Sequence, residues 1–248
     1  MNKKRLFGLL GRNITHSFSP GYFNDKFKKE KIPAEYKLFD LPEASMILDF
    51  VPRLEGFNVT IPYKQEVFSF LDEVDKTAEK IGAVNVVKVT KKNNRSRLTG
   101  YNTDAIGFKR SLQPLLNKNT PVAALILGTG GASKAVAYVL SELKIPFTYV
   151  SRQPSQENLS YEQLDQKVIS SHLLIINTTP LGMAPKIDLF PNIPYQHLSK
   201  DHILYDLIYN PMETQFLKKG KQMGATVKNG LEMLYLQADA AWEIWNQK

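Results

Sequence analysis

The chain has 248 residues, of which 43% are hydrophobic and 23% are charged, and its net charge is +8. This composition is typical of a soluble globular protein with one large domain or two. The absence of cysteine excludes disulfides and thiolate metal sites, and no apolar run is long enough to cross a membrane. Lysines and arginines fall in polar, helix-like segments, so they indicate solvated surfaces and attraction for anionic ligands rather than nucleic-acid binding. We therefore expect a cytoplasmic protein that binds neither nucleic acid nor a membrane.

The first part of the chain alternates between short apolar runs, which indicate strands, and amphipathic stretches, which indicate helices. Ser17 and Ser19 come directly before one of these helices. Their hydroxyl groups could cap the helix or could bind a carboxylate at its N-terminus, and capping is the simpler interpretation. The predicted elements of this part are strands at 4–10, 36–40 and 57–61 and helices at 20–31 and 41–51.

Polar residues cluster where the third predicted strand ends, at Pro62, which cannot continue it. Thr60 is at the end of the strand, and Lys64 starts a short helix just beyond it. Lys64 is either a solvated surface residue, as most lysines are, or an acid/base group, since burial readily shifts the pKa of a lysine. Further on, Asp104 could simply cap the helix that it precedes. The elements that follow are a helix at 72–81, a hairpin with strands at 86–90 and 97–100 and a turn at 92–94, and a helix at 105–116.

The next stretch has the order strand, glycine loop, helix, strand, which is the opening unit of a dinucleotide-binding fold. Gly128 permits the tight turn out of the first strand, Gly130 lets the backbone approach a pyrophosphate, and Ala132 lets the helix pack closely on the sheet. The N–H groups at the start of the helix offer a site for the anion. A turn that binds nothing is the alternative, but the elements on both sides of the loop favour a cofactor site. After a polar break at 117–121, the elements are a strand at 122–127, the loop, a helix at 132–143 and a strand at 147–150.

The end of the second strand of this unit discriminates between cofactors. An NAD site usually has an acidic residue there, about 20 residues beyond the loop, which binds the ribose hydroxyls. Ser151, Arg152 and Gln153 occupy this position instead. Arg152 could bind a 2′-phosphate and stack on adenine, although exposed arginines at strand ends are common. The missing acid favours NADP over NAD.

The last part of the chain continues the pattern of short buried strands. Thr178 lies in the turn 177–183 that follows one of them, at the sheet edge where ligands of open α/β sheets collect. The four histidines have no ligand-like spacing, so no metal site is predicted. The predicted elements are a loop at 153–160, strands at 173–176, 203–208 and 225–227, and a helix at 231–245.

Taken together, these motifs resemble those of the shikimate dehydrogenase family, in the order of that family and over nearly the whole chain. The chain departs from the usual family pattern at Phe18, Val86 and Tyr101, and it lacks a second basic residue after Arg152. The stretches that carry the resemblance are Ser17-Phe18-Ser19-Pro20, Asn58-Val59-Thr60-Ile61-Pro62-Tyr63-Lys64, Gly82-Ala83-Val84-Asn85, Asn102-Thr103-Asp104 with Gly107, the glycine loop, Asn177-Thr178-Thr179-Pro180-Leu181-Gly182-Met183, Asp206-Leu207-Ile208-Tyr209-Asn210-Pro211, and Asn229-Gly230-Leu231 through Gln237-Ala238.

The resemblance implies an α/β protein of two domains with a cleft between them. Residues 1–104 plus 231–248 would form an α/β substrate-binding and catalytic domain, and 105–230 a Rossmann-type, doubly wound NADP-binding domain. The implied reaction is the reversible, NADP-dependent reduction of 3-dehydroshikimate to shikimate, on the pathway to chorismate and the aromatic amino acids. The alternatives are a quinate/shikimate dehydrogenase that uses NAD and a non-catalytic metabolite-binding relative. The implied assembly is a monomer or a homodimer.

The resemblance also implies roles for individual residues. Lys64 would be the acid/base group beside the reacting hydroxyl, and Asp104 would keep its ammonium group charged and oriented. The substrate carboxylate would be bound by Ser17, Ser19 and Tyr209, and the ring hydroxyls by Thr60, Asn85 and Gln237. The cofactor would be bound by Gly128, Thr129, Gly130, Gly131, Ala132, Ser151, Arg152, Thr178, Leu207 and Gly230.

Overall fold

The computed structural model describes residues 4–93, 95–116, 123–153, 155 and 158–247. The chain forms two compact units, each built around one six-stranded sheet, and the predicted α/β class is confirmed. The polar break at 117–121, Asn94 of the predicted turn and Val122 of the predicted strand lie outside the described residues. The first unit comprises Met1–Thr103 and Ala238–Lys248, and the second comprises Asp104–Gln237.

The sheet of the first unit mixes parallel and antiparallel strands. Its strands are β1 (Arg5–Gly11), β2 (Ala34–Asp40), β3 (Gly56–Val59), β4 (Glu73–Val74), β5 (Val86–Lys92) and β6 (Arg95–Tyr101), in the order β2-β1-β3-β5-β6-β4. Strand β1 pairs in parallel with β2 and β3, whereas β5 runs antiparallel to β3 and β6. Because of these directions, the carboxyl ends of β1, β2 and β3 and the start of β5 lie at one edge of the sheet.

The sheet of the second unit is entirely parallel. Its strands are β7 (Ala124–Leu127), β8 (Phe147–Ser151), β9 (Asn158–Ser160), β10 (Leu174–Asn177), β11 (Ile203–Asp206) and β12 (Thr226–Lys228), in the order β12-β11-β10-β7-β8-β9. This is the doubly wound order of a Rossmann-type domain, in which the chain reverses direction across the sheet between its first and fourth strands. Here that switch point lies between β7 and β10.

Seven α-helices are found in the described residues, and the sequence does not predict two of them, α5 and α6. None of the described helices is both long and apolar enough to cross a membrane. The helices are α1 (Ser19–Lys29), α2 (Lys76–Ile81), α3 (Asp104–Leu112), α4 (Gly131–Glu142), α5 (Gln166–Ser171), α6 (Gln215–Gln222) and α7 (Leu231–Asn246).

The C-terminal half of α7 completes the core of the first unit. Trp245 stacks on Phe7 with ring centroids 4.8 Å apart, and its indole N–H donates to the carbonyl of Val87 at 3.0 Å. A Cβ atom at Gly56 would lie 2.2 Å from Nε1 of Trp245, so the indole fills the space that a side chain on β3 would take. These contacts fix the end of α7 against β1, β3 and β5.

The helix predicted at 41–51 is wrong in type. The segment forms two 3₁₀ helices instead, Ala44–Asp49 and Val51–Arg53. Pro52 has no N–H to continue an α-helix, and apolar residues three or four apart suit either kind of helix. The helix predicted at 72–81 was also too long, because its first part is the strand β4 and only α2 is helical.

Two predictions in the second unit need similar correction. The helix predicted at 105–116 ends at Leu112 and continues as a 3₁₀ helix, Gln113–Leu115, since Pro114 offers no N–H for an α-helical hydrogen bond. The loop predicted at 153–160 contains the edge strand β9. A strand of three residues is too short to show an alternating pattern.

Candidate functional site

A cavity of about 1020 Å³ lies at the carboxyl edge of the parallel sheet in the second unit. It forms at the switch point between β7 and β10, which is where open α/β sheets bind their ligands. Its walls come from the segments that follow β7, β8 and β10 and from the region of β9. The lining residues are Gly128, Thr129, Gly130, Val150, Ser151, Arg152, Gln153, Asn158, Tyr161, Thr178, Thr179, Pro180 and Leu181.

Two glycines of the loop after β7 are required for different reasons. Gly128 has a φ of +101°, and a Cβ atom there would lie 3.0 Å from Oγ1 of Thr178 and from Cγ2 of Thr179. The fold itself therefore disfavours a side chain at Gly128. Gly130 has a φ of −78°, and no described residue comes within 4 Å of the place where its Cβ atom would lie. The space beside Gly130 on the cavity wall lets a ligand approach the backbone.

Helix α4 presents its N-terminus to this loop. Gly130 is the N-cap residue, and among the described residues no side chain caps the helix and no acidic residue lies in its first turn. The hydroxyl of Ser133 donates back to the carbonyl of Gly130 at 2.7 Å, which stiffens the turn. The N–H groups of the first turn and the helix dipole together favour an anion at this position. The chemistry of the loop therefore fits the pyrophosphate of a dinucleotide.

The end of β8 brings a cation to the cavity. Arg152 lines it with an exposed side chain, and its guanidinium offsets part of the rise that burial causes in the pKa of Tyr161. No acidic side chain occurs among the described residues of the cavity wall. The charge of the wall therefore suits a 2′-phosphate better than the 2′-hydroxyl that an acidic residue would bind.

The turn after β10 is held in place by side-chain hydrogen bonds. The hydroxyl of Thr178 donates to the carbonyl of Leu127 at 2.7 Å and so joins the turn to the end of β7. Asn177 is fully buried, and its Oδ1 accepts from the N–H and the hydroxyl of Thr179 at 3.0 and 2.6 Å. Its Nδ2 donates to Asp206 of β11 at 3.1 Å. This part of the cavity wall is therefore fixed to two neighbouring strands.

Some predicted cofactor residues do not line the cavity. Gly131 and Ala132 are the first residues of α4. Leu207 and Gly230 contact each other, since a Cβ atom at Gly230 would lie 2.1 Å from the carbonyl oxygen of Leu207. The N–H of Gly230 also donates to the carbonyl of Ile208 at 3.0 Å. The close approach of the Leu207 backbone therefore requires glycine at position 230, independently of any contact that Gly230 makes with a ligand.

In the first unit, predicted substrate residues collect at the carboxyl ends of the parallel strands. Thr60 follows β3, and its N–H donates to the carbonyl of Leu10 in β1 at 2.9 Å. The segment with Ser17 and Ser19 follows β1, and a hydrogen bond of 3.0 Å from the N–H of Ser17 to the carbonyl of Ile14 closes a turn in it. The sequence therefore folds these polar groups to one edge of the sheet, as expected for ligand-binding loops.

The prediction that Ser17 or Ser19 caps α1 is wrong. Phe18 is the N-cap residue, in helical conformation, and no described side chain caps the helix. The helix begins at Ser19 rather than Pro20, so neither serine occupies the capping position. A hydrogen bond from Ser19 limits the rise that burial causes in the pKa of Tyr36. The hydroxyls of Ser17 and Ser19 therefore do not cap the helix. Binding a carboxylate, the other role that the sequence suggests for them, stays a prediction.

Lys64 and Asn85 are held next to the end of β3 by the backbone. The carbonyl of Lys64 accepts from the N–H of Val84 at 2.8 Å, and the carbonyl of Asn85 accepts from the N–H of Val59 at 2.8 Å. The side chain of Asn85 is buried, and its Oδ1 accepts from the N–H of Thr103 at 2.7 Å. Lys64 is half-buried. These hydrogen bonds place both residues at the edge that carries the other predicted substrate groups.

The remaining predicted substrate residues belong to the second unit. Asp104 is buried at the start of α3. A Cβ atom at Gly107 would lie 2.6 Å from the carbonyl oxygen of Met233 and 3.1 Å from the backbone nitrogen of Gln237, so α3 and α7 approach closely there. Burial raises the pKa of Tyr209 above its usual value of 10.0.

Part of the cavity wall was missed from the sequence. Asn158 and Tyr161 follow β8 in a segment without an apolar period, so no signal pointed to them. Thr179 and Leu181 lie in a stretch that carries the family resemblance, but the resemblance implies a cofactor contact only for Thr178 in that stretch. Within the described ranges, no group of three or more His, Asp or Glu side chains is placed to hold a metal ion.

Comparisons with known proteins indicate one family. A sequence model described as the shikimate dehydrogenase substrate binding domain matches residues 9–87. The chain is 41% identical to a protein named shikimate dehydrogenase (NADP(+)) from Methanococcus maripaludis, over 98% of this chain and 92% of that relative. It is similar in structure to a chorismate mutase/shikimate 5-dehydrogenase fusion protein from Clostridium acetobutylicum, with a TM-score of 0.88, 35% identity and coverage of 98% and 92%. It is also similar to shikimate 5-dehydrogenase from Thermus thermophilus in complex with NADP(H) and shikimate, with a TM-score of 0.84, 30% identity and coverage of 98% and 93%.

Proposed function

Because this chain belongs to the shikimate dehydrogenase family, we propose that it is an NADP-dependent shikimate dehydrogenase, an oxidoreductase that interconverts shikimate and 3-dehydroshikimate on the pathway to the aromatic amino acids. The observation that carries this function is the 41% identity to a shikimate dehydrogenase (NADP(+)) over nearly the full length of both chains. The alternative of a quinate/shikimate enzyme that uses NAD is less well supported, because Arg152 stands at the cavity where an NAD site has an acid.

The second unit supplies the groups that would hold the cofactor. The loop at Gly128 to Gly130 and the N-terminus of α4 would bind the pyrophosphate, and Ser151 with Arg152 would bind the 2′-phosphate end. Bound NADP supplies the acceptor for the hydride that leaves the carbon being oxidised. The other cofactor contacts that we propose are Thr129, Gly131, Ala132, Thr178, Leu207 and Gly230.

Lys64 is proposed as the group that moves the proton. In the oxidation direction its neutral Nζ accepts the proton of the reacting hydroxyl, and in the reduction direction its ammonium group donates that proton to the forming alcohol. Asp104 would stabilise the ammonium form as its counter-ion. The backbone hydrogen bond from Val84 to Lys64 supports this role, because it holds the backbone of the lysine beside the end of β3.

Substrate recognition is proposed to rest mainly on neutral hydrogen-bonding groups. A hydroxylated ring acid offers several hydroxyls and one carboxylate, and uncharged side chains can bind all of them without a large desolvation penalty. The carboxylate would accept hydrogen bonds from Ser17, Ser19 and Tyr209, and the ring hydroxyls would be bound by Thr60, Asn85 and Gln237. The pKa of Tyr209, raised by burial, supports its role as a donor.

The same proposal covers organisation and setting. Residues 1–104 with 231–248 would be the substrate-binding and catalytic domain, and 105–230 the NADP-binding domain. The two compact units support the general division, with boundaries after Thr103 and after Gln237, which lie one residue before the first proposed boundary and seven residues beyond the second. We place the enzyme in the cytoplasm, as a monomer or a homodimer.

Initial rates with shikimate or quinate, each against NADP⁺ or NAD⁺, test the proposal. We expect the highest kcat/KM for shikimate with NADP⁺. A higher kcat/KM for quinate with NAD⁺ would contradict the proposed substrate and cofactor. Calorimetric binding of NADP⁺ without turnover on either substrate would identify a non-catalytic relative instead.

A further inference from the structure

A buried carboxylate outside the cavity connects two segments that carry proposed site residues. Asp206 is the last residue of β11 and is 0% exposed. Its Oδ1 accepts from Nδ2 of Asn177 at 3.1 Å and from the N–H of Ile208 at 3.0 Å, and its Oδ2 accepts from the hydroxyl of Thr214 at 2.6 Å. None of the ion pairs among the described residues includes Asp206. Hydrogen bonds alone therefore compensate its burial.

The first of these hydrogen bonds fixes the orientation of the Asn177 amide. Because Nδ2 faces the carboxylate, Oδ1 is turned toward Thr179, where it accepts from the N–H at 3.0 Å and from the hydroxyl at 2.6 Å. A flipped amide would place an oxygen against the carboxylate and an NH₂ group against two donors. Asp206 thus selects the arrangement of the turn that carries Thr178 and Thr179 into the cavity wall.

The other two hydrogen bonds fix the segment that follows β11. The hydrogen bond from the N–H of Ile208 fixes the backbone of this residue, which lies between Leu207 and Tyr209 in the chain. The bond to Thr214 anchors the end of this segment, where Thr214 also caps α6. The carboxylate of Asp206 therefore constrains two segments. One is the turn after β10, which forms part of the cavity wall, and the other contains Leu207 and Tyr209, which are proposed ligand contacts.

From this geometry we infer that Asp206 is a positioning residue for ligand binding: it aligns the 177–181 turn and the 207–209 segment without touching the cofactor or the substrate. The carboxylate receives all three donors at once, whereas asparagine has a single acceptor oxygen and, with that oxygen facing Asn177 and Ile208, leaves the Thr214 hydroxyl without its acceptor. The inference rests on the proposed function, which identifies the ligands as NADP⁺ and shikimate. The effect on NADP⁺ binding requires only that NADP⁺ binds in the cavity.

The Asp206→Asn variant tests the inference, with Asp165→Asn as its matched control. Asp165 lies in the same unit, is exposed, caps α5 through a hydrogen bond of 2.8 Å from the N–H of Val168 and is not among the residues that line the cavity. Isothermal titration calorimetry with NADP⁺ measures binding without any turnover, and thermal unfolding monitors the fold. For Asp206→Asn we expect the Kd of NADP⁺ to rise at least tenfold and the KM for shikimate to rise with it, while kcat changes less. For Asp165→Asn we expect both constants to match the wild type.

An unchanged Kd in a folded Asp206→Asn variant would overturn the inference, as would equal weakening in both variants, which would indicate general destabilisation. If Asp206→Asn does not fold, Thr214→Val and Thr214→Ser decide. The serine keeps the hydroxyl that donates to Asp206 and the valine loses it, so only valine should weaken NADP⁺ binding, by threefold or more; equal affinities would overturn the inference. Absence of shikimate turnover in the wild type, with NADP⁺ binding intact, would contradict the proposed function and leave this test in force.

Discussion

Alanine substitutions at three glycines separate what the fold requires from what the cofactor requires. Gly128→Ala places a side chain at a φ of +101°, with its Cβ atom 3.0 Å from Thr178 and Thr179. The backbone strain is about 1–3 kcal/mol, and the crowding adds about 1–3 kcal/mol. Alanine also lowers the conformational entropy of the unfolded chain, which stabilises the folded state by about 0.4–1 kcal/mol. We therefore expect a net loss of roughly 1–6 kcal/mol in the free energy of unfolding.

The two other substitutions act as controls for each contribution. Gly224 has a φ of +84° in the turn after α6, and a Cβ atom there would have no neighbour closer than 3.9 Å, so Gly224→Ala isolates the strain. Gly130→Ala adds a methyl group at an ordinary φ of −78°, with no described residue within 4 Å of it. It should leave the free energy of unfolding unchanged and weaken NADP⁺ binding by tenfold or more, because the methyl group occupies the approach to the pyrophosphate.

Urea unfolding and calorimetric titration with NADP⁺ provide both readouts for each variant. We expect Gly128→Ala to lose more stability than Gly224→Ala, and Gly130→Ala to lose affinity alone. If Gly130→Ala binds NADP⁺ as tightly as the wild type, the cofactor does not approach this backbone. If Gly128→Ala is no less stable than Gly224→Ala, the contacts to the turn after β10 do not constrain the loop.

Three further predictions concern single side chains. Lys64→Ala should lower kcat by about 10²- to 10⁴-fold with little change in the KM for shikimate. Lys80→Ala, which replaces an exposed lysine on α2, should keep the wild-type kcat. A wild-type kcat in Lys64→Ala would exclude the acid/base role. Arg152→Asp should lower the preference for NADP⁺ over NAD⁺ by about 10- to 150-fold, the value of a charge-assisted hydrogen bond, and Arg110→Asp on α3 should not; steady-state kcat/KM ratios for the two cofactors would show it. Burial raises the pKa of Asp206 from 3.8 to about 6. Between these two pH values the native state therefore binds more protons than the unfolded state. The free energy of unfolding should then fall as the pH rises from 3.8 to about 6, by up to about 3 kcal/mol. Asp206→Asn should remove this decrease from a plot of unfolding free energy against pH, and an identical plot would refute the assignment of the pKa.

The Rossmann-type half of the fold was predictable because its signals are local. The strand, the glycine loop and α4 follow one another within a short stretch, and each shows its own period. The 3₁₀ helices around Ile47 and the strand β9 were not predictable in the same way. Proline shortens the first segment, and β9 is held at the sheet edge by pairing with β8, a contact that no pattern within three residues reveals.

The candidate site shows the same division. Gly128, Gly130 and Arg152 could be selected because their chemistry follows from their place beside a strand end. Tyr161 and Asn158 could not, since the chain returns them to the cavity through the pairing of β9. Asp206 carried a weak signal, an acid at the end of an apolar strand, but its partners Asn177 and Thr214 come from other segments. Such networks depend on the tertiary fold and leave no periodic trace in a single sequence.

The contribution of α7 to the first unit has a consequence for the order in which the protein matures on the ribosome. The hydrophobic cluster around Phe7 and Phe23 includes Ala241, Ile244 and Trp245, which are translated after the whole of the second unit. The second unit is one continuous stretch of chain and can acquire its structure while synthesis continues. The N-terminal strands must instead wait, on the order of ten seconds at ordinary elongation rates, for the residues that close their core. During that interval their apolar faces are open to chaperones and to aggregation.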